Sequence, residues 1–491
     1  MNISKRRLMA FSWVSILLAY MPYMQMHFSS DSYANIGMID TNIHLVNGRF
    51  ITYLVQALVN VLHIDVVRHQ TLITLFFITI LAIDLFLIIR EIFKYIDEQS
   101  YVKCLTAGIG SLFIFVNVFF AEWFLYVESL TSTACGITIL TISIIMIARG
   151  EKTRYIFFSF ALLVLCLNMY QLYVEFYVAI SLVIIYVRYA GKLTKRSFGH
   201  LLLTLAVAGS ASVITILIQI MIKISNNIPG SGRDATLKPH IIINNIKTIL
   251  YSQKTIWGNG SGLLPTGLLV VTGFFLVVAI AINKLYIEKD VNSFLYAFII
   301  LCCITGMTYA PHIISETVWM APRTIVGIFH LFFAAFLIVA SNQYRSKLDY
   351  AVVAVAVILL VINMFGIHGI LCNNIANNHL DENSAWQIEA YIEEYEHATG
   401  NYVTKIATVK DASPTYFYKG IKYVSHDMNI RGLVVDWADV NLINFYCDKD
   451  YQKCDMPEAI YEMYFKDKNW DVMNLQQQAV FKDDTLYLAM Y

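Results

Sequence analysis

Residues 70–90 read QTLITLFFITILAIDLFLIIR. They contain one acid, Asp84, and end on Arg90. A helix crossing the hydrocarbon core of a bilayer needs about 20 mainly apolar residues, so the stretch predicts a membrane span. Asp84 stands six residues before Arg90. That is about 9 Å from the end of the helix, where snorkelling or a polar contact accounts for it better than catalysis does.

Ten further stretches share this character, near 8–28, 104–120, 128–148, 155–170, 171–188, 200–222, 264–283, 292–310, 324–341 and 350–371. The first follows Lys5, Arg6 and Arg7 without a small-residue cleavage site, which predicts an uncleaved anchor rather than a signal peptide. The pair 155–170 and 171–188 is divided only at Asn168-Met169-Tyr170-Gln171. Composition agrees: 58% of residues are hydrophobic and 14% charged, against about 25% charged in soluble proteins. A large soluble enzyme is excluded, and so is a disordered chain.

The formal net charge of zero hides a division. Residues 1–371 carry 25 Lys and Arg against 16 Asp and Glu, while residues 372–491 carry 10 against 19. The expected fold is therefore mainly α: a polytopic transmembrane helical domain of about eleven spans over 1–371, then a small, acidic, soluble α/β domain over 372–491. An acidic domain argues against nucleic acid as a partner. Cytoplasmic loops are enriched in Lys and Arg. With the N-terminus inside, 17 such residues, from Lys5 to Arg345 and Lys347, fall at cytoplasmic ends and eight in the outer loops. Eleven spans then place the C-terminal domain outside the cell membrane.

Two outer loops are long, about 29–69 and 223–263. In the first, Thr52, Gln56, Asn60 and His63 recur on one face of a helix over 50–64, which predicts a helix lying at the outer surface. The second begins with Pro229-Gly230-Ser231-Gly232 and ends with Gly258-Asn259-Gly260-Ser261-Gly262 around a second surface helix. Such a loop suits a functional lid. In the C-terminal domain a helix is expected over 381–397 with Asp381 near its start, strands over 403–409 and 432–436, and a helix from Pro457 to 465. Cys372 ends the last apolar run, which leaves Cys447 and Cys454 as the only cysteine pair in the soluble domain; they form either a disulfide, if the domain faces an oxidising space, or two free thiols.

No phosphate-binding loop, dinucleotide fingerprint, His-Glu-x-x-His or nucleophile elbow is present. The informative polar residues cluster at the outer membrane face. Asp31 lies in Ser29-Ser30-Asp31-Ser32-Tyr33, Asp40 nine residues later, and Arg49 in Asn47-Gly48-Arg49-Phe50. A carboxylate at the membrane edge, its pKa raised by low dielectric, can act as a general base, and a nearby Arg can hold a phosphate. The alternative is ordinary loop charge. Glu122 and Glu128 flank a short outer turn, where charge marks either a site or carboxylates that snorkel to water. Tyr170, Gln171 and Glu175 suit sugar hydroxyls or helix–helix hydrogen bonds. His312, Glu316 and Arg323 occupy the outer turn between Pro311 and Pro322, and Arg323 is placed for a lipid phosphate, of a substrate or of an ordinary headgroup. Arg233, Lys238 and His240 in the lid are weaker candidates.

The order of these pieces resembles the polytopic bacterial glucosyltransferases that decorate O-antigen and related surface glycans, the serotype-conversion type. The pieces are Ser30-Asp31-Ser32-Tyr33, Asn47-Gly48-Arg49-Phe50, the Glu122 to Glu128 turn, Tyr170-Gln171 and Pro322-Arg323-Thr324-Ile325-Val326-Gly327. That family often has paired acids where this chain has Ser30-Asp31. The resemblance implies an inverting GT-C-type hexosyltransferase of the bacterial inner membrane. Such an enzyme takes a sugar, here glucose, from a polyprenyl-phosphate donor at the outer leaflet and passes it to a lipopolysaccharide O-antigen or similar glycan acceptor. The lipid donor makes a nucleotide site unnecessary. No cofactor is implied, and a divalent metal ion is left open. Asp31 would be the base, with Asp40 and Glu122 as alternates, and Arg49 and Arg323 would hold the donor phosphate. The acidic C-terminal domain would help hold the acceptor, with no catalytic residue of its own. A surface-polysaccharide polymerase and a lipid-linked-sugar flippase are the competing classes. A transporter would place its ionisable groups near the bilayer midplane rather than at the rim.

Overall fold

A computed structural model describes residues 5–96, 100–150, 152–341 and 347–491. Arg345, counted above among the cytoplasmic charges, lies outside them. The chain runs α1 (Lys5–Tyr20), α2 (Ser30–Ala34), α3 (Asn42–Val46), α4 (Phe50–Val61), α5 (Gln70–Phe93), α6 (Tyr101–Leu112), α7 (Val118–Ala121) and α8 (Leu130–Arg149). It continues through α9 (Thr153–Leu167), α10 (Tyr173–Arg188), α11 (Lys195–Ser225), α12 (Pro239–Asn259), α13 (Leu268–Ala281), α14 (Val291–Ile313), α15 (Gly327–Ala340) and α16 (Leu348–Thr399). Last come β1 (Lys405–Lys410), α17 (Asp439–Cys447), β2 (Gln452–Lys453), β3 (Ala479–Lys482) and β4 (Thr485–Met490).

A helix lies in each of the eleven apolar stretches, and six helices among the described residues are long and apolar enough to cross a membrane. They are Gln70–Phe93, Val127–Arg149, Lys195–Ser225, Leu268–Ile287, Val291–Ile313 and Leu348–Thr399. Their outward faces carry Leu72, Val213, Leu217, Met221, Val271 and Phe274, all exposed, an apolar surface suited to lipid. The bundle centre is different. From Tyr173 to Val187 every residue of α10 is buried, and α15 is buried almost throughout. These short helices pack on each other and on α8 and α14, so their neighbours, not lipid, cover them.

The stretch 104–120 is not one helix. It stops at Leu112 and restarts at Val118 because Asn117 caps the second piece, accepting from the N–H groups of Phe119 and Phe120 at 3.1 and 2.8 Å. The Val118 N–H donates to Asn363 Oδ1 of α16 at 3.1 Å. Side-chain amides thus meet the backbone groups that the break exposes, as a low-dielectric interior requires. The break turns the chain toward Glu122.

The polar stripe of α4 faces inward, not to the surface. Thr52 donates to the Met169 carbonyl (3.0 Å), Gln56 to the Glu128 carbonyl (3.0 Å) and Asn60 to the Ile39 carbonyl (2.8 Å). Leu54, Leu58 and Val61 point out and are 59%, 59% and 72% exposed. The helix is apolar outside and polar inside, the arrangement expected where the outside is hydrocarbon.

The expected helix over 381–397 is the far half of α16, which runs unbroken for 52 residues, about 78 Å. Asp381 therefore caps nothing; it accepts from the Gly432 N–H and the Tyr418 hydroxyl at 2.8 and 2.9 Å. The first of these bonds helps hold Gly432–Val434 as a tight turn, so no strand forms over 432–436. The sheet is four-stranded in the order β2-β1-β4-β3, with β1 parallel to β2 and β4, and β3 antiparallel to β4. Cys447 and Cys454 are free thiols, not a disulfide. Ile406, Leu486 and Leu488 of the sheet share one apolar core with Ile388 and Ile392 of α16 and with Phe28, Tyr33, Ile39, Val66 and Val67 from the N-terminal part.

Candidate active site

That shared core is why the segment carrying Asp31 has a defined place. Asn378 of α16 clasps Phe28 on both sides, accepting from its N–H at 2.9 Å and donating to its carbonyl at 2.9 Å. Asn374 adds a second bond to that carbonyl. Ser29 then starts α2, its hydroxyl accepting from the Ser32 N–H in a capping box. Asp31 falls in the first turn, where Trp437 Nε1 donates to its Oδ1 at 2.9 Å. The Ser32 hydroxyl donates to Glu128 Oε2 at 3.1 Å, so Asp31 and Glu128 sit close enough for their charges to repel.

Arg323 is the second anchor. Pro322 fixes the backbone angle before it, and Thr324 ties the turn to the carbonyls of Trp319 and Ala321. His312 bonds the Thr324 carbonyl at 3.0 Å, and Trp123 Nε1 the Arg323 carbonyl at 3.2 Å. The Arg323 N–H donates to Glu122 Oε2 at 2.7 Å, and its guanidinium bonds Glu122 Oε1 and, at 3.0 Å, the Tyr126 hydroxyl. It also bonds both carboxylate oxygens of Asp427, at 3.2 and 3.0 Å. One arginine is thus saturated by two acids.

The electrostatics follow from burial. Burial pushes the Asp31 carboxyl above its ordinary value, against the charge of Arg323 and the Trp437 hydrogen bond. It pushes Glu122 up to about 7 despite Arg323. Burial also acts on Asp427, but the charge and hydrogen bonds of Arg323 outweigh it and hold that carboxyl below its ordinary range.

Arg49 contrasts with Arg323. It lies over the Tyr170 ring, 4.6 Å from the centroid, and its buried Nε has no hydrogen-bond partner. Burial lowers its pKa to about 10, and Arg233 and Arg323 push further the same way. Gln171 donates to the Asn47 carbonyl at 3.1 Å and Gln219 to the Gly48 carbonyl at 3.1 Å, so the turn before α10, and α11 itself, hold the turn before Arg49. A Cβ at Gly48 would strike Gln219, and its φ of +67° favours glycine. Arg233 lies over the Trp319 ring at 5.5 Å. The segment around it is pinned, not free: Ala235 bridges Ser315, and Glu316 N–H donates to the Asp234 carbonyl at 2.9 Å.

The structure gathers Asp31, Glu122, Glu128, Arg49, Tyr170, Arg233 and Arg323, with Gln171 and His312 as braces. It does not gather the rest. Asp40 is exposed and accepts from the Asn42 N–H within its own turn. Glu316 is exposed and takes part through its backbone. Glu175 is buried deeper, against Gly327 at the start of α15. Asp427 and Trp437 enter from the C-terminal segment, which sequence reasoning left without a catalytic-site role. Ser425-His426-Asp427-Met428-Asn429 carries no periodicity or motif, and Trp437 is one of three tryptophans in the C-terminal domain, so no sequence signal pointed to either residue. Among the described residues no group of three His, Cys, Asp or Glu is arranged to hold a metal ion.

Apolar helices around a rim of carboxylates and arginines define a membrane-associated protein with a polar site at one end of its bundle. The chain belongs to the GtrII glucosyl transferase family: the profile described as Glucosyl transferase GtrII matches residues 20–328, well over half its length. The match spans Asp31 to Arg323 and ends before Asp427. No curated protein and no solved structure matches the chain. Family membership supports glycosyltransferase activity of the glucosyl-transfer type.

Proposed function

We propose that the protein transfers glucose from a polyprenyl-phosphate donor to a cell-surface glycan such as O-antigen, at the outer face of the bacterial inner membrane, by a GT-C-type inverting reaction. The observation that carries this reading is Arg49. The residue is partly buried, but its Nε is fully buried without a hydrogen-bond partner, which is costly until an acceptor arrives, and a donor phosphate supplies one. Arg233 would be its companion. Arg323, already engaged by Glu122 and Asp427, is better suited to position those acids than to bind phosphate. The outward apolar face of α4 beside Arg49 suits the prenyl chain.

In this reaction Asp31 takes the proton of an acceptor hydroxyl. The hydroxyl oxygen bonds to the anomeric carbon as the carbon–oxygen bond to phosphate breaks, and the lipid phosphate leaves with the electron pair. Arg49 and Arg233 stabilise the charge that develops there. Asp31 is adapted to this by a pKa raised above the ordinary range, since a stronger base accepts the proton more readily. The test is donor choice. Purified protein in liposomes is given labelled glucose on polyprenyl phosphate or on a nucleotide, with a surface glycan as acceptor. Transfer from the lipid alone, with inverted anomeric configuration by NMR, is expected. Transfer from the nucleotide, or label crossing the bilayer without transfer, would overturn the reading.

A further inference from the structure

Beside Asp427 a cavity of about 370 Å³ opens between the second half of α12 and the turn at 425–428, within the size range of small-molecule sites. Thr248, Ser252 and Thr255 line one wall, and Ser261, Ser425 and His426 the others. The first three are spaced by four and three residues, on one face of α12. No Lys, Arg, Asp or Glu lines the cavity.

Its walls are tied to the ion cluster. The Met428 N–H donates to the Ser425 carbonyl at 2.9 Å and closes the turn. The two residues inside that turn point to different places: His426 lines the cavity, and Asp427 bonds Arg323. His426 meets the edge of Trp319 at 5.1 Å, and burial lowers its pKa, which keeps it neutral near pH 7. Ser261 and His426 both hold a left-handed backbone, φ 56° and 55°, a conformation that residues other than glycine adopt seldom and mainly where surrounding structure enforces it.

We propose that this cavity is the acceptor subsite and takes an uncharged sugar unit of the acceptor glycan. The inference rests on the glycosyltransferase reading above. Five hydroxyls line the cavity, and each can accept from a sugar hydroxyl; that of Ser252 already donates to the Thr248 carbonyl. With no cation in the lining, nothing there pairs the charge of an acidic sugar, which is disfavoured. Asp427, the neighbour of His426, lies close enough to Asp31 to act on its charge, so an acceptor bound here lies beside the cluster that contains the proposed base.

The experiment uses the full chain in lipid nanodiscs, with Thr255→Leu and Ser252→Leu to fill the cavity. Binding of neutral hexose and deoxyhexose trisaccharides, and of a uronic-acid trisaccharide, is followed by saturation-transfer NMR. Acceptor and donor KM are measured in parallel. Neutral sugars are expected to bind the wild type more tightly than the acidic one. Each substitution should weaken neutral binding and raise acceptor KM about tenfold, as the loss of one or two neutral hydrogen bonds would, with donor KM unchanged as the check on folding. Unchanged neutral binding in both variants, or equal binding of the acidic sugar, overturns the subsite. Transfer with an unaltered acceptor KM defeats the subsite alone. A wild type whose neutral binding is lost in the variants, but which transfers no glucose, defeats the enzymatic reading alone.

Discussion

Arg323 and Asp427 stand 104 residues apart in the chain and meet in a two-point ion pair, Nη2 to Oδ2 at 3.0 Å and Nη1 to Oδ1 at 3.2 Å. The pair fastens the segment between β1 and α17 to the turn before α15. It also brings a C-terminal acid into a rim whose other gathered charges, from Asp31 to Arg323, lie in the family-matched part of the chain.

Replacing Asp427 by Asn removes one charge while keeping the shape. Arg323 retains Glu122, so the expected loss of stability is about 1–3 kcal/mol, read as a lower melting temperature in detergent. Glucosyl transfer should fall as well, because the turn bearing His426 loosens. An unaltered melting temperature would mean that the pair contributes nothing measurable.

Arg49→Ala should raise donor KM roughly 10- to 100-fold, the worth of a charge-assisted hydrogen bond to phosphate at about 1.5–3 kcal/mol. Arg49→Lys should recover part of this. It keeps the charge but gives up the planar fork. Arg49 trades its stacking on Tyr170 against a buried Nε without an acceptor, so the melting temperature should change little. A change in acceptor KM alone would contradict the assignment.

Glu122 titrates at about 7 in the folded protein against an ordinary 4.5. The folded form therefore binds this proton more tightly than the unfolded form. Its contribution to stability is full below the ordinary value and is lost as pH rises through about 7. Glu122→Gln should flatten the change in melting temperature between about pH 5 and about pH 8. An equal slope in the variant would show that another group governs it.

Gln56→Leu should destabilise by about 1–3 kcal/mol, because the Glu128 carbonyl loses its donor in a buried place. Leu58→Ala, on the outward face of α4, should change stability by less than about 0.5 kcal/mol. The reverse pattern would mean that the polar face of α4 looks outward in the native protein.

The apolar helices were legible because their signal is local: 70–90 needs no partner to be read as a helix, though among the described residues six helices, against the eleven spans expected, are long and apolar enough to cross a membrane. The face that α4 presents was not, since the same period of four polar residues fits water outside or a polar site inside, and only the positions of Met169 and Glu128 decide between them. Asp31, Glu122, Arg49 and Arg323 could be singled out because a charge at the edge of an apolar run is conspicuous. Asp427 could not, as one acid in a domain with 19 acidic residues. The short strands Ala479–Lys482 and Thr485–Met490 went unnamed. The second pairs with β1, from Lys405↔Thr485 to Lys410↔Met490, a contact distant in sequence, and the sheet packs against α16.

The most direct measurement compares wild type with Asp31→Asn in liposomes holding labelled glucosyl polyprenyl phosphate and a surface glycan. The substitution keeps size and the Trp437 contact while removing the base. Wild type should transfer label, and the variant, with the same melting temperature and the same donor KM, should lose transfer by at least about a hundredfold, as removal of a general base entails. Transfer at the wild-type rate by a folded Asp31→Asn variant would contradict the account.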